Sequence, residues 1–369
     1  MKKILHILPS FNKSWGGPRK MVAGLSKYIS NNKLGIVDIC CTNVYGNFSK
    51  TQKDSKINIY QFDVSIFNKI WITHSNGFKN FIKEKIRNYD ILHIHEMWHF
   101  LHYYSTISAV NNKIPFIITP HGGLEKRRLK NLKKKIFATL FEKNICDQAK
   151  YIHTLTEFEE KDVLSLCPRA NTKIIPNGVS INNPKKTNRN IYSKYGININ
   201  TKIILFLGRL HNDKGIDLLI DCLNKENNHI NNCILIIAGP DENQYRSRFK
   251  NINNIIFTGL VEGEEKENLF SAADVFVLPS HGEGFSLSIL EAMSYNIPVI
   301  ISKFCYFPDV EKYNAGIIVD LNVDSLYLAI NKLLSNDNLR KQMGANAFNL
   351  VKKSYDEDII YDQIVRLYN

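Results

Sequence analysis

Short apolar strand segments alternate with helical segments from one end of the chain to the other. Such alternation predicts parallel βαβ units, in which helices cover both faces of a sheet. The predicted fold class is therefore α/β with doubly wound sheets. The predicted strands are Lys3–Leu8, Gly35–Cys41, Ile57–Phe62, Ile91–His95, Pro115–Thr119, Tyr151–Thr154 and Lys173–Ile175 in the first half, and Lys202–Leu207, Cys233–Ala238, Ile255–Phe257, Asp274–Leu278, Pro298–Ile301 and Gly316–Val319 in the second.

The length of the chain indicates two domains, because 369 residues are too many for one ordinary hydrophobic core. Residues 181–200 are polar and rich in Asn and Lys, which is typical of a linker. We therefore predict one domain over 1–180 and another over 201–354. Two such halves imply a cleft, and open α/β sheets bind ligands beyond the carboxyl ends of their strands.

Composition restricts the partners and the compartment. The formal net charge of +13 indicates an anionic partner, which could be a nucleotide phosphate, an anionic lipid or a nucleic acid. The seven cysteines form no C-x-x-C pair and lie mostly in apolar segments, which is typical of reduced core residues in the cytoplasm. No apolar run approaches the ~18 residues that a membrane-spanning helix needs.

The stretch Leu278–Ala292 is predicted to form the end of a strand, a Gly-rich turn and a helix that begins near Ser286. A helix that starts at such a turn presents free N–H groups and the positive end of its dipole, which suit an anion. Glu283 in the turn and Glu291 on the helix can accept hydrogen bonds from sugar hydroxyls. The alternative is a buried strand-loop-helix with one solvated and one helix-face carboxylate.

Two cations follow the strand that ends at Gly208. Arg209 and Lys214 lie in one loop, just before a helix that begins near Gly215. This arrangement suits a diphosphate. The alternative is a pair of solvated loop cations.

The first loop of the chain also resembles a phosphate cradle. Gly16 and Gly17 allow close approach of the backbone, and Pro18 suits a first helical turn. The pattern is not G-x-G-x-x-G, which argues against a nicotinamide site. The loop could equally be an ordinary turn.

Histidines concentrate after the fourth predicted strand. His93, His95, His99 and His102 could be read as a metal site, but structural zinc needs four convergent ligands. We favour an acceptor-side role in which His95, Glu96 and Trp98 contact a sugar at the strand end, with His93 a hydrogen-bonded core residue.

His121 lies in a Gly-rich loop after the fifth strand, where a histidine can reach a ligand as a donor or a general base. The alternative is a turn histidine in solvent.

Residues 126–141 are predicted to form a basic amphipathic helix. Such a helix can lie on an anionic membrane surface, or it can pack on the core with a solvated basic side. A role in binding nucleic acid is less favoured, because aromatic residues suited to base stacking are not interleaved with the basic cluster.

Taken together, the motifs resemble the retaining glycosyltransferases of family 4 and follow the order found in that family. They are the Gly16-Gly17 loop, His121-Gly-Gly, Pro176-Asn-Gly-Val, Gly208-Arg209-x4-Lys214-Gly, Gly239-Pro and Glu283-x7-Glu291. The resemblance implies the GT-B fold, with two Rossmann-like domains facing across a cleft and a final helix, about 355–369, that crosses back to the first. It also implies that 1–180 binds the acceptor and 201–354 the nucleotide sugar.

The resemblance further implies roles for single residues. Arg209 and Lys214 would bind the donor diphosphate, Glu291 the ribose hydroxyls, and Glu283 the donor sugar. His121 would lie near the reacting sugar, so the implied catalytic residues are His121, Glu283, Arg209 and Lys214. The remaining implied donor-binding residues are Gly16, Gly17, Gly239, Gly284, Phe285, Ser286 and Leu287, and Ser286 stands where many members have Gly.

The resemblance thus implies transfer of a hexose from a nucleotide diphosphate sugar to a glycan, preferably a lipid-linked surface polysaccharide. It implies no metal and no other cofactor. We expect a cytoplasmic protein, peripheral on the inner face of the plasma membrane if 126–141 binds lipid. The alternatives are an epimerase of the same fold, which should lack the Arg-x4-Lys and Glu-x7-Glu pairs, a non-catalytic nucleotide-sugar-binding protein, and an RNA-binding protein whose affinity falls steeply with salt.

Overall fold

The computed structural model describes residues 1–12, 16–44, 46, 57–69, 72–124, 143–181, 190–224, 232–241, 243–249, 252 and 254–369. These residues form two compact units. Unit 1 comprises Met1–Asn177 and Asp358–Asn369, and unit 2 comprises Gly178–Glu357. Each unit is built on one parallel sheet.

The sheet of unit 1 has seven strands in the order β3-β2-β1-β4-β5-β6-β7. All of its neighbouring strands are parallel. The strands are β1 Lys2–Ile7, β2 Gly35–Thr42, β3 Ile57–Phe62, β4 Ile91–His95, β5 Phe116–Thr119, β6 Tyr151–Thr154 and β7 Thr172–Ile174.

The sheet of unit 2 has six strands in the order β10-β9-β8-β11-β12-β13, again all parallel. The strands are β8 Lys202–Leu207, β9 Cys233–Ala238, β10 Ile255–Gly259, β11 Val275–Leu278, β12 Val299–Ser302 and β13 Gly316–Val319. The α/β, doubly wound prediction is confirmed in both units.

Helices alternate with the strands as predicted. They are α1 Gly17–Asn31, α2 Asn76–Lys85, α3 Phe100–Asn111, α4 Lys143–Gln148, α5 Glu157–Leu166, α6 Asn190–Lys194, α7 Ile216–Leu223, α8 Tyr245–Arg248, α9 Gly263–Ala272, α10 Leu287–Ser294, α11 Asp309–Lys312, α12 Val323–Leu334, α13 Asp337–Ser354 and α14 Glu357–Leu367. Short 3-10 turns occupy Ile66–Lys69, Ile86–Asn88, Asn212–Lys214 and Lys303–Cys305.

The central strands are continuous apolar runs because helices cover both faces of a parallel sheet. In β8 the residues from Ile203 to Phe206 have no exposed surface, and β11 is equally buried. Polar side chains cap several of the covering helices. Ser75, Thr156, Asn322 and Asn336 each accept a hydrogen bond from a first-turn N–H of α2, α5, α12 and α13, respectively.

Each sheet has one point where the strand order reverses direction. In unit 1 the reversal falls between β1 and β4, and in unit 2 it falls between β8 and β11. At such a switch point the loops after the two central strands diverge, which leaves room for a ligand at the carboxyl edge. The motifs after β8 and β11 lie at this position in unit 2.

The last helix of the chain belongs to the first unit. Ile360, Tyr361 and Ile364 of α14 are buried in the core that α1 also lines. The contact with α1 is close, since a Cβ on Gly24 would lie 2.0 Å from the Tyr361 hydroxyl.

Only part of the predicted linker, 181–200, falls within the described residues, because 182–189 lie outside them. From residue 190 onward the stretch includes α6 and belongs to unit 2, with Ile191 buried. That section of the predicted linker is therefore folded.

The seven cysteines are free thiols, and all but Cys233 are buried. In the part of the chain that the structure describes, no helix is both long and apolar enough to cross a membrane.

Candidate active site

Backbone contacts join the two central loops of unit 2. The carbonyl of Asp213, in the loop after β8, accepts hydrogen bonds from Ser280 Oγ at 2.9 Å and His281 N–H at 2.7 Å, both in the loop after β11. Gly215 is left-handed, and a Cβ there would lie 2.0 Å from the carbonyl oxygen of Pro279. Only glycine therefore allows the two loops to approach this closely.

Lys214 and Glu283 form an ion pair at the junction of these loops. Lys214 Nζ lies 2.5 Å from Glu283 Oε1, and the two side chains are only 18% and 10% exposed. A cation and a carboxylate are therefore held side by side. The cation suits a phosphate oxygen and the carboxylate suits sugar hydroxyls.

The helix that follows this junction begins at the predicted turn. Ser286 is the N-cap of α10 and makes no side-chain capping bond. Phe285 anchors the turn, with its ring packed 5.0 Å from Phe307 and 5.7 Å from Tyr355, measured between centroids. Because the first N–H groups of a helix have no partner within it, the backbone from Phe285 to Leu287 suits an anion.

Gly239 connects β9 to this edge of the sheet. Its φ of 145° lies in the region that favours glycine, and a Cβ there would lie 1.8 Å from the carbonyl oxygen of Gly208. The predicted Gly239-Pro motif is thus required for the loops after β8 and β9 to pack together. Arg209 follows Gly208 directly and its side chain is exposed.

The structure adds a partner for Glu291 that sequence analysis missed. Lys266 of α9 donates to this buried carboxylate, with Nζ 2.9 Å from Oε1 and 2.8 Å from Oε2. No motif marks Lys266, because it is one lysine on a surface helix far from Glu291 in sequence. The ion pair holds the Glu291 carboxylate in place.

In unit 1, the loops after β4 and β5 contain three non-glycine residues with left-handed backbone. Glu96 has φ of 66°, Trp98 of 71° and His121 of 51°. Such residues carry strain that the surrounding structure must offset, and they cluster at functional sites. The Trp98 ring N–H donates to the carbonyl of Gly123 at 2.8 Å, which joins the two loops.

A buried carboxylate holds the His121 loop and was not predicted. Glu159, on α5, accepts hydrogen bonds from Gly122 N–H and from Leu155 N–H, both at 2.6 Å. The side chain is 4% exposed. Glu159 therefore fixes the backbone directly after His121.

The prediction that His95 contacts the acceptor is wrong for this structure. The residue is 1% exposed, with Nε2 2.9 Å from His6 Nδ1 and Nδ1 3.3 Å from His121 Nε2. Its position as the last residue of β4 keeps it in the core. Glu96 and Trp98 are partly exposed, so an acceptor contact stays a prediction for them.

His93 is a hydrogen-bonded core residue, as predicted. Its Nδ1 lies 2.7 Å from the Tyr368 hydroxyl and its Nε2 lies 2.8 Å from Thr119 Oγ1. Thr119 Oγ1 also lies 2.9 Å from His153 Nδ1, and His153 Nε2 lies 2.8 Å from the carbonyl oxygen of Ile175.

The direction of these hydrogen bonds follows from the carbonyl, which can only accept. His153 therefore donates from Nε2, Thr119 donates to His153 Nδ1, His93 donates from Nε2 to Thr119, and Tyr368 donates to His93 Nδ1. Burial lowers the pKa of His153 to about 4 and holds that of His93 well below its usual value, so both rings are neutral at pH 7.

These hydrogen bonds affect the alternative that the histidines bind a metal ion. Among the described residues, His6, His93 and His95 bring ring nitrogens within 4.8 Å of one another. Both nitrogens of His93 and both of His95 are already in hydrogen bonds. A metal could bind only by breaking them. His99 and His102 do not join the group.

Gly16 is exposed and left-handed, with φ of 77°, and it is the N-cap of α1. Gly17 is the first residue of that helix. A phosphate role for this helix start stays a prediction. The basic segment 126–141 lies outside the described residues.

Two units, each built on one parallel sheet with a switch point at its centre, are the architecture of the GT-B fold. Residues 187–350 match the family model for glycosyl transferases group 1, and residues 15–183 match the model for glycosyltransferase family 4. The chain belongs to the group 1, family 4 glycosyltransferases, and the resemblance drawn from the sequence is confirmed.

Relatives agree with this assignment over most of the chain. An uncharacterized glycosyltransferase of Methanocaldococcus jannaschii is 25% identical over 96% of each chain. The O-antigen chain mannosyltransferase C of Escherichia coli is 22% identical over 76% of this chain and 75% of its own. The solved structure of Anabaena HepE in complex with UDP-glucose matches with a TM-score of 0.80, 18% identity and 99% coverage of both chains, which shows a common fold.

Proposed function

We propose that this glycosyltransferase moves a hexose from a nucleotide diphosphate sugar to a glycan acceptor, with retention of configuration and without a metal. The favoured acceptor is a lipid-linked surface polysaccharide. The E. coli relative named for an O-antigen chain supports a glycan acceptor, and the HepE complex with UDP-glucose supports a nucleotide sugar as donor.

The observation that carries the proposal is the Lys214–Glu283 ion pair at the switch point of unit 2. A sugar diphosphate combines an anion with a polyol, and this junction offers a cation, a carboxylate and a helix start within two joined loops. Few other ligands need all three.

The roles of these groups follow from where negative charge develops during the transfer. When the bond between the sugar C1 and the phosphate oxygen breaks, negative charge develops on the leaving diphosphate. Lys214, Arg209 and the N–H groups of the α10 start would stabilise it. The acceptor oxygen forms the new bond to C1, and its proton passes to the leaving phosphate oxygen. Attack on the leaving-group face retains the configuration.

The remaining roles rest on the resemblance. Glu291 would accept the ribose hydroxyls, and unit 1 would bind the acceptor through Glu96 and Trp98. Membrane contact through 126–141 and a location at the inner face of the plasma membrane stay predictions from the sequence.

Thermal unfolding with a panel of nucleoside diphosphates and nucleotide sugars tests the donor site. We expect one base to raise the melting temperature, because a ligand at 100 times its Kd stabilises by about 2.7 kcal/mol. EDTA should leave this shift unchanged. Arg209→Ala should reduce it, and Lys341→Ala, on exposed α13, should not. Unshifted curves across the whole panel would contradict the donor site.

Lys266→Met should raise KM for the donor by about tenfold and change kcat little. The substitution leaves Glu291 buried without its cation, and a ribose contact contributes equally to the ground and transition states. Steady-state kinetics with varied donor provide the measurement. Lys194→Met is the matched control, because Lys194 pairs with Glu265 on the same helix, α9. An unchanged KM in Lys266→Met would count against the role of Glu291.

A further inference from the structure

Three histidines form a hydrogen-bonded chain that runs from the core of unit 1 to the loop after β5. His6 Nδ1 lies 2.9 Å from His95 Nε2, and His95 Nδ1 lies 3.3 Å from His121 Nε2. His6 and His95 are buried, while His121 is partly exposed. The chain arises because β1 and β4 are neighbours, with His6 opposite His93 in the register.

All three rings are neutral at physiological pH. Burial lowers the pKa of His6 and of His121 to about 3, and burial with the neighbouring histidines holds the pKa of His95 well below its usual value. Each ring therefore has one N–H and one lone pair, and the two hydrogen bonds must run in the same direction.

The His6 end of the three hydrogen-bonded histidines decides the direction of the hydrogen bonds. Its Nε2 is buried and has no hydrogen-bond partner among the described residues. If the bonds ran inward, this nitrogen would carry an orphaned N–H. If they run outward, it keeps only an unused lone pair. Orphaned buried N–H groups are rarer in proteins than unsatisfied acceptors, so the outward direction is favoured.

We propose that His6 and His95 are positioning residues that fix the tautomer of His121, so that His121 carries its proton on Nδ1. His6 donates from Nδ1 to His95 Nε2, and His95 donates from Nδ1 to His121 Nε2. Because Nε2 of His121 is occupied, only the Nδ1–H is left for a ligand.

The assigned tautomer bears on whether His121 donates a hydrogen bond or acts as a general base. Either role of His121 rests on the proposed function. The sequence left open whether His121 acts as a donor or as a general base. A ring whose lone pair already accepts from His95 offers a ligand a hydrogen bond and cannot take up a proton from it at that nitrogen. His121 would thus donate to an oxygen of the reacting sugar.

Imidazole ¹⁵N NMR of the full-length protein, labelled at histidine and free of substrate, tests the tautomer directly. We expect His121, His95 and His6 each to show a protonated Nδ1 and an unprotonated Nε2. His121→Gln identifies the His121 signals by their loss. A protonated Nε2 on His121 in the wild-type spectrum would overturn the proposal.

Substitutions at His6 test the relay, by which we mean the control of the His121 tautomer by His6 through His95. His6→Leu removes the donor, so His121 should become a mixture of tautomers and kcat should fall by about tenfold with KM for the donor unchanged. His6→Asn places an amide donor near the former Nδ1 and should retain the wild-type tautomer and most of kcat. His102→Leu removes a buried histidine that does not belong to the three hydrogen-bonded histidines, and it is the matched control.

The two readouts separate this proposal from the proposed function. If the tautomer is as assigned but no nucleotide sugar is turned over, the transferase proposal fails and the relay stands. If turnover is found but His6→Leu leaves the His121 tautomer unchanged, the relay is refuted and the transferase proposal stands.

Discussion

Replacing Arg209 and Lys214 together by alanine is expected to lower transfer by at least about 10³-fold. Removing one preorganised donor from a site of growing charge typically costs 10²–10³ in kcat, and this variant removes two cations. Initial rates of nucleoside diphosphate release, measured with saturating acceptor, provide the test. Turnover near the wild-type rate would refute the phosphate assignment.

The controls for this variant address folding. Arg209 is exposed, so Arg209→Ala should leave the fold unchanged. Lys214→Ala removes the cation beside the nearly buried Glu283 carboxylate, which is destabilising in itself. Adding Glu283→Gln restores the charge balance and should recover stability without recovering activity. Lys341→Ala with Lys352→Ala removes two exposed lysines of α13 and should have no effect on the rate.

Lowering the pH from 7 to 5 is expected to destabilise unit 1 strongly. The pKa values of His6 and His102 fall to about 3 in the folded state and that of His153 to about 4, against 6.5 in the unfolded chain, because burial disfavours the charged rings. The unfolded state therefore binds more protons between pH 6.5 and these values. By linkage, stability is lost as the pH falls through that window.

The size of the effect follows from the number of protons. Each additional proton taken up on unfolding changes stability by about 1.4 kcal/mol per pH unit, so three histidines contribute up to about 4 kcal/mol per unit. A typical domain has only about 5–15 kcal/mol in total. Urea titrations of the free energy of unfolding from pH 7 to pH 5 give the slope. His281→Gln, at an exposed position, should leave that slope unchanged. A stability that does not vary with pH would contradict the buried neutral histidines.

The fold could be predicted from the sequence because alternating apolar strands and helices leave few arrangements other than doubly wound sheets. The pairing of Lys214 with Glu283 could also be anticipated, since both follow strands that are central in such sheets. Loops at the carboxyl ends of adjacent parallel strands meet at one edge. Local sequence and topology were sufficient for this part of the site.

The rest of the site depends on contacts that local sequence does not encode. Lys266 meets Glu291 only through tertiary packing, in which Phe270 of α9 also stacks on Tyr295 at the end of α10, and no motif marks a single surface lysine. His6 could have been included by noting that a histidine is the last or next-to-last residue of β1, β4 and β6, but the pairing requires the strand order. His95 was predicted to contact the acceptor because it is the last residue of a strand. In the structure that end of the strand is buried in the core of unit 1.

The core of unit 1 is shared between residues that are far apart along the chain. Tyr368 donates to His93 in β4, its backbone carbonyl accepts from Lys2 Nζ at 2.6 Å, and Ile360 and Ile364 pack among residues of β1 and α1. During synthesis these side chains leave the ribosome only after the whole of unit 2. The core of unit 1 therefore stays incomplete until unit 2 has been made, so the unit that is translated first is completed last.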